Sequence, residues 1–303
     1  MTANTAESQV GVVLPAEVWT SRAQAHRDRA DQITGSHRQR AQSGRSHPVW
    51  DFLFSYYSLR PGQLRVWHPG YRTALTGPRA NQYLQRPGYV SVSVGAAVGV
   101  AVGPAYLRSR IATVRFVADL LRATAGREPQ FGCFGMHEWA MVYRSEAIRH
   151  AQVPLRLGVS GTDAVVESMP LRCSHFDAYR FFTAAAAPRN GCRPTRASQR
   201  DWEQPACLHA NMDLYKWAYK LGPLVDSALL MDCLDLAFRA RELDMRASPY
   251  DLRGFGFEPI AVEEPAGRAE YVRRQAEIAR LAAPLRAALL RRCDRLLEAG
   301  PIL

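Results

Sequence analysis

The chain has 303 residues, 47% of them hydrophobic and 22% charged, with a formal net charge of +11. That composition describes a globular protein able to bury a large core. No run of 18 uncharged apolar residues occurs, and the N-terminus lacks the basic and apolar regions of a signal peptide, so a membrane partner is excluded and the expected location is cytoplasmic.

In chain order, residues 1–14 are expected to be disordered. Pro15–Ile33 should form a polar, Arg-rich helix, and Thr34–Ser46 a flexible link, so the ligand-binding or catalytic domain is expected to span residues 47–303. Trp50–Tyr57 is dense in aromatics. Val90–Val102 alternates Val with Ser, Ala or Gly, which predicts one or two short strands. Ala105–Thr124 reads as an amphipathic helix ended by Gly126, and Met136–Ala151 as a second helix opening after a glycine turn. Val159–Arg172 fits strand or turn equally. Asp177–Phe182 is expected to be helical and Ala184–Gln204 a loop. Three helices follow: Ala206–Leu221, stopped by Gly222-Pro223; Asp226–Arg246; and Gly267–Leu297, kinked at Pro284. The expected fold is mainly α with a minor β component, a single large helical domain with an N-terminal basic helix.

The 206–221 helix carries the most distinctive chemistry. At about 100° per residue, His209, Asp213, Lys216 and Lys220 fall on one stripe about 60° wide. The rest of that helix is apolar, so the stripe is expected to face a pocket. Lys216 and Lys220 are the only lysines among 39 basic residues. An amine can lose its proton when desolvated and a guanidinium cannot, so a nucleophilic role is weighed against an electrostatic one. The bland alternative is a solvated face with an ion pair worth a few tenths of a kcal/mol.

Histidines recur beside acids: His47 with Asp51, His209 with Asp213, His175 with Asp177, and His137 with Glu138. Such couples can ligate one metal, or the acid can orient the imidazole for proton transfer. Helix caps and satisfied core histidines are the structural alternatives. Aromatics flank these couples: Trp50 and Tyr56, Trp139 and Tyr143, Phe176, Tyr215 and Trp217. Rings so placed can sandwich a planar ligand such as a nucleobase, although core packing is the commoner use. Asp232, Asp235, Arg239, Glu242 and Arg246 form a stripe read as a solvated ion-pair face, with Arg246 near a bend that can border a pocket. The six cysteines show no C-x-x-C spacing and are expected to be reduced. Basic residues cluster in 22–45 and 286–295, as a phosphate-contacting surface would require; a GC-rich genome produces the same excess.

Five segments carry a family resemblance: His47-Pro-Val-Trp-Asp-Phe-Leu-Phe-Ser-Tyr-Tyr57, Gly132-Cys-Phe-Gly-Met-His-Glu-Trp-Ala-Met-Val-Tyr143, Arg172-Cys-Ser-His-Phe-Asp-Ala-Tyr-Arg-Phe-Phe182, Cys207-Leu-His-Ala-Asn-Met-Asp-Leu-Tyr-Lys-Trp-Ala-Tyr-Lys220 and Arg241-Glu-Leu-Asp-Met-Arg-Ala-Ser-Pro-Tyr-Asp-Leu252. Together they resemble an actinobacterial family whose members commonly carry the name 3-methyladenine DNA glycosylase. The resemblance implies an N-glycosylase that removes alkylated purines from DNA and needs no cofactor. Asp213 or Asp51 would then activate water, an aromatic pocket would hold the base, and the Arg surface would bind DNA phosphates.

The residues alone give an alternative, a metal-dependent enzyme acting on a small molecule. Iron, manganese or zinc would be held by ligands among His47, His137, His175, Asp177, His209 and Asp213, with Glu138 beside them. A DNA-binding protein without chemistry is the third reading.

Overall fold

The computed structural model of the chain describes residues 10–145 and 152–300. A strand opens the described chain where disorder is expected. Val12–Leu14 (β1) pairs in parallel with Thr73–Thr76 (β2), Val12 opposite Thr73. The remaining expectation of disorder, over residues 1–9, lies outside the described residues.

Helix α1 spans Ala16–Gln42 and passes straight through the segment expected to be a flexible link. Trp19, Ala23, His26, Ala30 and Thr34 recur at helical spacing and are buried. Their packing outweighs the cost of about 1 kcal/mol that Gly35 imposes inside a helix. The far end of α1 is held by Asp51. Its carboxylate accepts hydrogen bonds from Arg40 Nε at 3.0 Å, from Arg40 Nη2 and from the His47 amide at 2.8 Å, and lies 2.9 Å from His37 Nδ1.

Two short helices, Phe52–Ser55 (α2) and Pro61–Leu64 (α3), lead into β2. Tyr89–Val94 (β3) and Ala97–Val102 (β4) form an antiparallel hairpin from Tyr89 opposite Val102 to Val94 opposite Ala97. Gly95 turns it with a φ of 58°, which the tight hairpin favours. The sheet order is β1-β2-β4-β3, with β2 and β4 antiparallel.

The rest is helical: Pro104–Ala125 (α4), Met136–Ala140 (α5), Gly158–Ser168 (α6), Phe176–Tyr179 (α7), Gln199–Trp202 (α8), Leu208–Leu221 (α9), Ser227–Arg246 (α10) and Pro265–Ala299 (α11). The protein is mainly α with a minor β component. Among the described residues, no helix is long and apolar enough to cross a membrane.

Two segments differ from the sequence pattern. The helix expected over 136–151 stops at Ala140 in its described part, and its expected stretch 146–151 lies outside the described residues. Thr183 is the cause. Its amide donates to the Ala140 carbonyl at 3.2 Å and its hydroxyl to the Tyr143 carbonyl at 2.9 Å, taking the acceptors that a further turn would need. Arg144 then turns left-handed, with φ at 49°. Conversely, Val159–Arg172 holds a helix, α6, because Thr162, Val165 and Val166 share one buried face.

α9 lies at the centre and packs against α4, α10 and α11, while α4 also packs along α11. Leu208, Met212, Leu214, Tyr215, Ala218 and Leu221 are buried around its circumference. A helix apolar all round belongs inside a core. The polar residues among them are therefore carried inward too. α10 is capped by Asp226, whose side chain accepts from the Leu229 amide at 3.1 Å and also from Arg292 of α11 at 2.9 Å.

Asp51→Asn is expected to destabilise the fold by about 1–3 kcal/mol, since it weakens charged hydrogen bonds at a buried carboxylate. Arg40 and His37 outweigh the effect of burial and hold the Asp51 pKa below its ordinary value. Its stabilisation is therefore full at neutral pH and is lost as pH falls through the depressed folded-state value. Urea denaturation of both proteins should show the gap at pH 7 shrinking below about pH 4.

Candidate functional site

Three histidines from separate parts of the chain meet beside the first turn of α9. His209 sits on α9, His137 in α5, and His175 immediately before α7. The His137 and His209 ring centroids are 4.5 Å apart and edge-on, and those of His175 and His209 are 5.3 Å apart. Gly135 makes the approach of α5 practicable. Its φ is 68°, and a Cβ there would stand 3.3 Å from the Ala247 side chain and 3.5 Å from the Tyr271 ring.

Each outer histidine faces buried carboxylates. His137 Nε2 lies 2.8 Å from Asp244 Oδ1 of α10. His175 Nε2 lies 3.2 Å from Glu203 Oε1 and 3.4 Å from Asp213 Oδ2. His137 Nε2 and Asp244 Oδ1 are both shielded from solvent and meet as an ion pair, as His175 Nε2 does with its two carboxylates. His137, His209 and Asp244 form one group able to hold a metal ion, with ligand atoms within 4.8 Å of one another; His175, Glu203 and Asp213 form another.

The two groups differ in what engages their carboxylates. Asp213 Oδ1 accepts from the Tyr57 hydroxyl at 2.9 Å, and Oδ2 accepts from Lys216, whose Nζ also reaches Asp177 Oδ2 at 2.9 Å. Asp244 is held through Oδ2 by Arg241 at 2.9 Å and through Oδ1 by His137, and the same guanidinium nitrogen reaches Glu138 Oε1 at 2.8 Å. Arg241 is fully buried, with its guanidinium 3.9 Å over the Phe52 ring.

Burial opposes charge on every one of these groups, so the neighbours decide. Asp213 is held well below the usual carboxylate range by Lys216 and His175, which outweigh its burial. Asp244 is held down in the same way by His137, His209 and Arg241. Burial lowers His175, but Glu203 and Asp213 push it up to about 9, and Asp244 raises His137. His209 goes the other way: burial, with His137 beside it, lowers its pKa well below the ordinary value. His209 is thus a neutral imidazole with no hydrogen bond to any described residue. It is free to ligate a metal, which the neutral ring does best.

These histidines form one wall of a cavity of about 260 Å³, bounded otherwise by Phe131, Phe182 and Tyr271, by Met136, Leu171 and Leu208, and by the thiols of Cys133, Cys173 and Cys207. Burial raises all three thiols, Cys173 to about 12, so they are protonated wall groups. All six cysteines are free.

The expected site residues divide into those that converge and those that do not. His137, His175, His209 and Asp213 come together, with Lys216, Asp177 and Glu138 one contact further out. His47 does not join them. Its Nδ1 accepts from the Val49 and Trp50 amides, and Asp51 is spent on α1. Lys220 is exposed, 5.7 Å over the Trp217 ring. Tyr56 lines a small recess with Phe52, Glu138, Asp177, His209 and Arg241.

The other aromatics are packing groups. Trp139 donates to the Ala247 carbonyl and Tyr143 to Glu167, while Tyr215 meets Tyr57 edge-on. Trp50 packs on Phe238 and Phe257, Trp217 on Phe116, and Phe176 lies beneath Arg196. Arg246 bonds the Glu258 carbonyl and Glu242.

Glu203, Asp244, Arg241 and Tyr57 are site residues that no spacing pattern singled out. For Arg241 and Asp244 a signal existed. They fall off the solvated stripe of α10, among Ala237, Ala240, Leu243 and Met245, where a charge has to meet a partner. Glu203 caps the end of the short α8, in the link to α9, and carried no periodic signal.

The basic segments border a different place. Arg22, Arg29, Arg72, Arg292 and Arg295 line a groove of about 1060 Å³ between α1 and α11, and none of its lining residues is shared with the histidine cavity. Compared with models of protein families, with curated proteins and with solved structures, the chain gives no match.

Lys216 is raised above its ordinary value because Asp213 and Asp177 outweigh its burial, whereas partial burial and Lys216 lower Lys220. An amine-reactive ester at pH 8 should therefore label Lys220 at least about tenfold faster than Lys216, since the unprotonated amine is the nucleophile. Peptide mass spectrometry reads the two sites directly; faster labelling of Lys216 would show that its ammonium is not held by the carboxylates.

Proposed function

We propose that the protein is a metal-dependent enzyme acting on a small molecule, its metal held by His137, His209 and Asp244. The observation that carries this reading is the grouping itself: two imidazoles and one carboxylate, all buried, with ligand atoms within 4.8 Å of one another, and both imidazoles in the cavity wall. His137 would give up the proton it shares with Asp244 when the metal binds. His209, neutral and without a hydrogen bond to any described residue, supplies the third donor, and the cavity leaves room for substrate beside it. Two imidazoles and one carboxylate with open positions are a donor set for iron, manganese or zinc.

Charge sets a condition on this reading. Glu138, Glu203, Asp213 and Asp244 are buried with Lys216, Arg241 and Arg286, and their carboxylates also raise His137 and His175. A metal at Asp244 would therefore take the place of the His137 proton. Arg241 would act as the outer partner that orients Asp244, leaving Oδ1 for the metal. A bound divalent ion would polarise substrate or lower the pKa of a bound water. His175 stands 5.3 Å from His209 with Glu203 and Asp213 behind it, placed to hold a proton for the reaction.

A second reading is the DNA N-glycosylase that the resemblance implies. The observation favouring it is the Arg-lined groove between α1 and α11, which offers phosphate contacts. Release of 3-methyladenine from methylated DNA, by a protein free of metal, would favour it over the metalloenzyme.

Elemental analysis of protein purified without a metal-affinity tag is expected to give about one equivalent of iron, manganese or zinc per chain. His209→Ala and Asp244→Asn should each lower that content at least about tenfold, and His47→Ala should leave it unchanged. A wild-type protein that takes up none of the three metals on incubation, or an Asp244→Asn protein that retains full content, sinks the proposal.

A further inference from the structure

We infer that the cavity takes a small organic carboxylate, its anionic head on Arg172 and Ser174 at the mouth and its apolar body directed inward to His209. The inference rests on the proposed reading for the chemistry at the floor, but the recognition of the anion stands on separate residues.

The cavity lining is uneven in charge. Among its described lining residues there is no Asp or Glu, and Arg172 is the one Arg or Lys. Several arginines elsewhere are engaged: Arg241 by Glu138 and Asp244, Arg156 by Glu263, Arg29 by Asp232 and Asp235. Arg172 is exposed and forms no hydrogen bond or ion pair with any described residue. Ser174, two residues on in a segment without regular secondary structure, also lines the cavity, and its hydroxyl is without a described partner.

Gly132 makes the space in which the guanidinium lies. A methyl group there would stand 3.2 Å from Arg172 Nη1, tighter than ordinary packing. A planar fork of N–H donors with a hydroxyl beside it matches a carboxylate, which accepts two parallel hydrogen bonds.

Behind the mouth, Phe131, Phe182, Tyr271, Met136 and Leu208 offer rings and aliphatic surface. The protonated thiols add surface of the same kind. The Gln204 amide is already used: its side-chain oxygen accepts from the Gln130 and Ala206 amides, and its nitrogen donates to the Gln130 carbonyl. The volume, about 260 Å³, is below the range of roughly 300–1,000 Å³ typical of drug-sized ligands. A short arylalkanoate or branched aliphatic acid fits these walls; a nucleotide does not.

The test uses isothermal titration of the full chain with benzoate, phenylacetate and 3-phenylpropionate, each against its uncharged amide, at low salt and up to millimolar concentration. At least one acid is expected to bind about tenfold or more tightly than its amide. Arg172→Gln should erase that preference while leaving amide affinity unchanged, and Gly132→Ala should weaken the acid. No binding by any acid, equal binding of acid and amide, or a preference that survives Arg172→Gln each overturns the inference. Running the titrations on metal-loaded and chelator-stripped protein keeps the two proposals apart. An acid preference in a protein that binds no metal removes the metal reading alone. Full metal content with no acid preference removes this inference alone.

Discussion

The fold depends on how charge is neutralised around α9. Taking one carboxylate out of water costs several kcal/mol unless its charge is met, and α9 is apolar on so many sides that Asp213 goes inward with it. Lys216, Tyr57 and His175 supply what water would have given. Lys216 in turn draws Asp177 and α7 toward α9, and His175 draws in Glu203 from beyond α8. On the α11 side, the Asn211 side-chain oxygen accepts from the buried Arg286, a hydrogen bond that leaves the guanidinium charge unneutralised. Loops that sequence patterning leaves unassigned are thereby fixed by electrostatics rather than by propensity.

The long helices were legible because their apolar periodicity and stop signals agree. α4, α9, α10 and α11 lie close to their expected spans, and the hairpin of β3 and β4 follows from alternating valines. The failures share a cause. α1 continues through Gly35, and α5 ends early, because Asp51 and Thr183 act from outside the helix concerned. In the site, the pairing of His209 with Asp213 was visible at helical spacing, and so was the inward stripe as far as Lys216. Lys220, one turn further, escapes to solvent at the end of α9. Sequence spacing places residues on one face of an element; it does not say which remote carboxylate will meet them. His137 therefore belongs with Asp244 although Glu138 is its neighbour in the chain.

The basic residues illustrate the same separation between composition and place. The clusters in α1 and α11 are far apart in sequence yet border one groove, where Arg29 is tied to Asp232 and Asp235 and Arg292 to Asp226. Those pairs are half-exposed and contribute little each to stability. Their removal from the histidine cavity leaves that cavity with one arginine at its rim and imidazoles in its wall. On the inference of a carboxylate ligand, Arg172 and apolar contact would select it, not the net charge of the chain.

The two histidine groups also separate by what their carboxylates can still do. Both oxygens of Asp213 accept hydrogen bonds, one from a phenol and one from an ammonium, and a metal ion would have to displace Lys216 to reach the second. That exchange replaces one desolvated cation by another and gains little. Asp244 gives Oδ2 to Arg241 and Oδ1 to His137, an imidazole that a metal can deprotonate and keep as a ligand. On the proposed reading, metal chemistry belongs at Asp244 and proton holding at His175, because each group is suited to the task the other cannot perform. His209 touches both rings, and so lies where the metal and the proton would have to cooperate.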